Sequence, residues 1–296
     1  MERSKQFFEE CQATFMTIAR LILKVKWRKT FRNTGEEKLL LLGNGPSLSN
    51  SMNQLGDSLG RIKTMCVNLF PTTPDFKRVK PSYFVVSAPE FWLENVDPVY
   101  LESRSSILRA LRDDTSWPLE VFIPWEARRF KEWVQLPSKN PNITVTWYNI
   151  HPAEGFRWFR HWAFRMQLGM PRPHNVLIPS MMVAIAKGIR EVYVVGADHS
   201  WLPQITVDEQ NVVLVNQKHF YDSETSRPEI MRKLGTGRRT LAEVLQKFQY
   251  TFASYFLIRH YAESRGVRIL NATPGSFIDA FDRISTEELR ERTAPH

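Results

Sequence analysis

The chain has 296 residues, of which 43% are hydrophobic and 24% charged, and it carries a formal net charge of +9. That composition excludes a disordered or fibrous chain, and the length suffices for one large α/β domain, or two small ones, with a sizeable core. The two cysteines, Cys11 and Cys66, lie far apart without His/Cys ligand spacing, which argues against a disulfide framework or a structural zinc site and for a reducing compartment.

Over residues 7–27 the apolar Phe7, Phe8, Cys11, Phe15, Ile18, Ala19, Ile22 and Val25 recur every three or four positions, which predicts an amphipathic helix. The first 32 residues hold eight basic and three acidic side chains, so more than half of the net charge sits there. Arg20, Lys24, Lys26, Arg28 and Lys29 interrupt any run long enough to cross a bilayer, and no signal-peptide cleavage site follows. Residues 1–34 therefore read as a basic amphipathic segment. Its apolar face suits an anionic membrane surface, contacted through residues 1–32, or else a docking site on its own domain or in a dimer.

Next comes the apolar run Lys38-Leu39-Leu40-Leu41-Leu42, ending in Gly43-Asn44-Gly45-Pro46-Ser47, which predicts a buried parallel strand entering a loop and then a helix. Further strands are expected at 64–68, 82–87, 120–123, 144–148, 191–196 and 267–271, with helical stretches between several of them. This is the pattern of a doubly wound α/β sheet, mostly parallel. Small or polar residues follow the strands at Gly43-Asn44-Gly45, Asn68, Ser87 and Gly196-Ala197-Asp198, and open parallel sheets bind ligands at those carboxyl ends. Residues 35–296 read as a single domain with an insertion at about 201–239.

The glycine turn is neither a Walker loop nor a dinucleotide fingerprint, which disfavours ATP and NAD. Gly43 and Gly45 permit a tight turn, while Asn44 and Ser47 offer donors near a helix N-terminus, where phosphate is favoured. The alternative is a purely structural strand-to-helix turn. Asp198 follows a strand and reads equally as a substrate contact or a loop anchor, with His199 beside it as a second candidate base. The insertion carries Tyr221, Arg227, Arg232, Lys233, Arg238 and Arg239, with Gly235 and Gly237 as hinges, and reads as a basic lid over a nucleotide or as a solvated loop. Residues 156–165 are dense in aromatics and cations, fit for a membrane interface, sugar rings or single-stranded nucleic acid, or for a helix whose rings enter the core.

Four blocks in order, Leu41–Leu48, Met65–Phe70, Val183–Asp198 and Lys218-His219-Phe220-Tyr221, resemble the bacterial sialyltransferases of glycosyltransferase family 42 and related enzymes on the same nucleotide-binding scaffold. The resemblance implies a Rossmann-like variant GT-A fold that binds a CMP-activated sugar with no metal and no cofactor and transfers it with inversion. It places Gly43, Asn44, Gly45, Pro46 and Ser47 by the donor phosphate and ribose, Asn68 beside the nucleotide or sugar, and Ser87 where the family often has Asn. His219 would be the general base and Tyr221 would help the phosphate leave. Either Asn175 or Ser180 would face the ligand at the helix before residue 191. His199-Ser200-Trp201 departs from the aromatic hydroxyls usual there.

The function so implied is an inverting glycosyltransferase that passes a sialic-acid-like or Kdo-like sugar from its CMP donor to a bacterial surface glycan or lipid-linked glycan. It would be peripheral on the cytoplasmic face of the inner membrane, with homo-oligomerisation left open. The alternatives are a magnesium- and ATP-dependent pyrophosphokinase on a related scaffold and a basic nucleic-acid-binding protein. The last is disfavoured because no nucleic-acid-binding motif is present.

Overall fold

The computed structural model describes residues 2–96, 98–216, 219–221, 228–233 and 237–294. The first part of the chain forms α1 (Glu2–Lys24), β1 (Lys38–Leu42), α2 (Leu48–Leu55), β2 (Lys63–Val67), α3 (Pro74–Val79), β3 (Tyr83–Val85), α4 (Pro98–Arg109), β4 (Leu119–Pro124), α5 (Lys131–Lys139) and β5 (Ile143–Tyr148). Then follow α6 (Arg157–Arg165), α7 (Leu177–Ala186), β6 (Glu191–Val195), β7 (Ile205–Val207), β8 (Val213–Val215), β9 (Glu229–Ile230), α8 (Leu241–Ser264), β10 (Arg268–Asn271), β11 (Asp282–Arg283) and α9 (Thr286–Arg292). The expected strands all form, within one or two residues of their expected ends.

Eight strands make one sheet in the order β11-β10-β6-β1-β2-β3-β4-β5, with every pair parallel. Leu39 to Leu42 are all buried because β1 is central and both of its faces are covered. Burying each leucine contributes about 1.5–3 kcal/mol. Side chains alternate between the faces, so one sheet builds two cores. Leu39, Leu41, Val67, Val192 and Val194 pack with α6, α7 and α8. On the other face Leu40, Leu42, Cys66, Tyr193 and Val195 pack with α2, α3, α5 and α9.

From β1 the chain winds outward through β2 to β5, then returns to the other side of β1 to place β6. The gap between the loops that follow β1 and β6 is thus a topological switch point, where a parallel sheet opens a crevice.

The insertion, expected as a lid or a solvated loop, forms in its described residues a separate antiparallel sheet, β7-β8-β9. Val213 and Val215 of this sheet bury against Val244 and Phe248 of α8, with Trp201 packed beside them. Lys218, Arg227 and Gly235 lie outside the described residues.

The helix α1 forms as expected, but it docks mostly through residues outside the periodic set. Thr17, Leu21 and Val25 are buried. Thr14 and Thr17 accept the backbone N–H groups of Phe156 and Glu154 (both 3.0 Å), and the Arg20 guanidinium donates to Pro152 O (2.6 Å). The approach is so close that a Cβ on Gly155 would lie 2.0 Å from the Thr14 hydroxyl. Only glycine fits there, and its φ of +103° also favours glycine. Of the periodic apolar residues only Val25 is buried: Phe8, Phe15 and Ile22 are 66–70% exposed, and so are the neighbouring Leu23 (79%), Trp27 (59%) and Trp158 of α6 (70%). Most of the aromatic stretch around α6 instead enters the core through Phe159 and Phe164. Among the described residues no helix is long and apolar enough to cross a membrane.

Candidate functional site

The switch point opens into a cleft of about 370 Å³, walled by the ends of β1, β2 and β6, the entry to α7 and residues 198–204. Its floor depends on close contact between two loops. Gly43 N–H donates to Val195 O and Gly45 N–H to Gly196 O (both 2.8 Å). A Cβ on Gly43 would lie 2.4 Å from Gly196 O, and one on Gly45 would lie 2.7 Å from the same oxygen and 1.9 Å from Asp198 Oδ2. Glycine is therefore required at both positions by packing, whatever binds above them.

Two amides line this floor. Asn44 donates through Nδ2 to Val67 O (3.0 Å), which fixes its orientation and leaves Oδ1 buried with no partner. Asn68 is held in the left-handed region at φ 48°, a conformation that Asn tolerates better than most residues, and its Oδ1 is likewise buried and unpartnered. Both atoms can only accept. A ligand seated on this floor has to bring hydroxyl or amino donors, and a phosphate brings none.

Ser47 differs from the expectation. Its hydroxyl donates to Asp198 Oδ2 (2.9 Å) and its backbone N–H to Asp198 Oδ1 (3.3 Å), so the donors expected to face phosphate are taken by a carboxylate of the chain itself. Burial raises the Asp198 carboxyl above its ordinary value, while the Ser47 hydrogen bonds oppose that rise. Asp198 thus anchors the β6 loop to the start of α2 and also lines the cleft.

Asn175 and Ser180 separate clearly. Asn175 lines the cleft, and its Oδ1 accepts from Leu177 N–H (2.9 Å) and the Tyr255 hydroxyl (3.3 Å). Ser180 is fully buried and its hydroxyl turns back to Val176 O (2.8 Å), which removes it as a ligand contact. The physical reason is helical phase: α7 is apolar nearly all round, and Ser180 lies on a turn covered by the core. Ser87 is also buried and stands outside the cleft lining.

His199 is buried, has φ 52° and shares a 2.6 Å hydrogen bond between Nε2 and the Tyr255 hydroxyl. Desolvation pushes its imidazole down to about 3, so the ring is neutral across the physiological range. That corrects its candidacy as a base: it holds Tyr255, and through it Asn175, in place. His219 lines the cleft, with its ring stacked on Tyr221 at 5.0 Å and 5°. The adjoining Phe220 donates its N–H to Asn44 O (3.1 Å) and packs on Phe70 at 5.7 Å, which fastens this segment over the glycine turn. Tyr221 backs His219 rather than lining the cleft. Pro46 is exposed at the rim.

Gln204, Asn216 and Trp201 complete the lining, and Tyr255 supports it from behind. None of these was singled out from the sequence as a ligand contact. Tyr255 lies inside a long helix without a motif, so no local signal marks it.

No family model matches the chain, and no curated protein matches it. Among solved structures it is similar to the MAf glycosyltransferase from Magnetospirillum magneticum AMB-1, at 12% sequence identity and a TM-score of 0.48, over 95% of this chain and 39% of that one. The chain thus spans about two fifths of that protein's length, and a likeness this slight says nothing of activity.

Proposed function

We propose that the chain is an inverting, metal-independent glycosyltransferase that takes a CMP-activated acidic sugar and passes it to a hydroxyl of a bacterial surface glycan or lipid-linked glycan. The observation that carries this reading is the placement of His219 beside a cleft whose floor offers two unpartnered amide oxygens, Asn44 Oδ1 and Asn68 Oδ1. Ribose hydroxyls or a cytosine amino group satisfy such acceptors. With Ser47 taken by Asp198, the phosphate is assigned to the His219 side of the cleft.

In the reaction His219 accepts the proton of the acceptor hydroxyl as that oxygen attacks the anomeric carbon, and the bond from that carbon to the CMP phosphate oxygen breaks on the opposite face. Stacking on Tyr221 orients the imidazole, and ordering acceptor and donor in line supplies much of the rate.

Calorimetric titration of the protein with CMP, CDP, UMP, GMP and ATP, each with EDTA and with magnesium, tests this reading. Selective CMP binding unchanged by EDTA is the expected result. Preference for magnesium-ATP would replace the reading with a pyrophosphokinase, and the absence of nucleotide binding would remove it.

The proposal includes work at an anionic membrane, on the cytoplasmic face of the inner membrane, because the uncovered apolar residues of α1 are followed by the exposed cations Lys24, Lys26, Arg28 and Lys29. The full chain is expected to float with vesicles containing phosphatidylglycerol. A variant with Phe15, Ile22 and Leu23 changed to Ser keeps the buried docking face and is expected to stay in solution. Equal flotation of the two would remove the membrane assignment.

A further inference from the structure

The two outer strands of the large sheet differ in kind. At one end β11 is only Asp282-Arg283, both charged and exposed, which is how a sheet edge is guarded against pairing. At the other end β5 has six residues, Ile143-Thr144-Val145-Thr146-Trp147-Tyr148, with no charge, proline or glycine among them. All six are of types favoured in strands, and such a stretch left unpaired is a template for another strand.

The register of β5 on β4 decides which of its backbone groups face outward. Leu119 lies opposite Ile143 and donates its N–H to Asn142 O (2.9 Å). Backbone groups alternate in direction along a strand, so Asn142, Thr144, Thr146 and Tyr148 turn theirs toward β4 and Ile143, Val145 and Trp147 turn theirs away. Ile143 N–H is satisfied locally by Asn140 O (3.1 Å). Among the described residues nothing pairs with the outward N–H and C=O of Val145 and Trp147. The side chains match an open edge: Thr144 is exposed and Val145, Thr146 and Trp147 are half-buried, whereas Leu39 to Leu42 of central β1 are all buried. Trp147 is held in place by Trp125, whose ring lies 6.2 Å away, with Arg128 over both rings.

We infer that two copies of the chain pair through β5, antiparallel about a two-fold axis at Thr146, which joins their large sheets into one. The edge is self-complementary in that arrangement. The outward N–H and C=O of Val145 meet those of the partner's Trp147, and the two Thr146 residues face each other; β-branched–aromatic and Thr–Thr pairs across an antiparallel ladder are favourable. Charge argues for this place of contact, because two chains of net charge +9 meet at least cost along an edge that carries none. A two-fold uses both β5 edges and leaves only the guarded β11 edges free, so association stops at the dimer. The inference is independent of the reaction proposed above.

Sedimentation velocity of the full chain over a wide range of concentration tests it, and a monomer–dimer equilibrium is expected. Val145→Pro removes an outward N–H and spares the ladder to β4, so it is expected to weaken the dimer by about tenfold or more with the far-UV circular dichroism of the parent. Thr144→Lys, at an exposed position, sets a charge beside the axis and is expected to weaken the dimer likewise; it decides the matter should the proline variant fail to fold. The chain with Phe15, Ile22 and Leu23 changed to Ser is expected to dimerise like the parent, which separates the β5 edge from the exposed residues of α1. A parent that stays monomeric, assemblies larger than a dimer, a dimer unchanged by folded Val145→Pro and Thr144→Lys, or a dimer lost with the α1 residues would each overturn the inference.

Discussion

His219→Ala is expected to abolish sugar transfer, with turnover falling by about 10²–10⁴-fold, the usual contribution of a positioned acid or base. CMP affinity should stay within about threefold, because the floor that would hold the nucleoside is built from Asn44 and Asn68, on other elements. The two measurements are needed together. A parallel loss of binding would mean that His219 holds the donor rather than taking a proton, and turnover close to the parent's would remove it as the base. His199 cannot stand in. With its imidazole pushed down to about 3 and engaged with Tyr255, it binds a proton too weakly to serve near neutrality.

Gly43→Ala is expected to cause a large loss of stability. The new Cβ would meet Gly196 O at 2.4 Å and Gly196 C at 2.9 Å, both backbone atoms. No side-chain rotation relieves that contact. The adjacent ladder pairs Leu42 with Val195, and Gly43 N–H bonds Val195 O at 2.8 Å, so relief requires parting two central strands at their ends. Such overpacking costs about 1–3 kcal/mol, and more where backbone has to move. Urea denaturation should therefore show a clear fall in midpoint, and nucleotide titration should show a loss of binding as the floor opens. Gly60→Ala is the control, since a Cβ there meets nothing within 4 Å. Equal midpoints for the two variants would refute the close-packed floor.

The two glycines also show where a local pattern stops being informative. Gly43-Asn44-Gly45 after an apolar run reads as a turn suited to a ligand, and the turn does sit in the cleft. The reason for the glycines is nevertheless the passage of the β6 loop against them, a contact made by residues about 150 positions away. Ser47 is the sharper case. Its position at the head of a helix promises donors for a phosphate, yet Asp198 takes both of them.

Other parts of the molecule divide along the same line. Alternation and apolar runs sufficed for the six strands expected after β1, because burial on two faces of a parallel sheet writes itself into consecutive side chains. The short strands β7, β9 and β11 carried no such run, being two or three residues long and half-exposed in part, and β8 sits in the brief apolar run Val212-Val213-Leu214-Val215 inside a segment read as a lid.

For the first helix, the period of its apolar residues established that it is helical and two-faced. Only the packed chain decided that the smaller face, through Thr14, Thr17 and Leu21, is the one covered by residues 152–156. In the same way the family resemblance left Asn175 and Ser180 as alternatives near the entry to α7, and only the fold separates them: Asn175 lines the cleft, held by the hydroxyl of Tyr255, 80 residues further on, while Ser180 is buried. Local periodicity reports which side chains avoid water. Which buried group meets which is settled by contacts between distant segments, and the hydrogen-bond partners and charge balance of this cleft are made almost entirely of those.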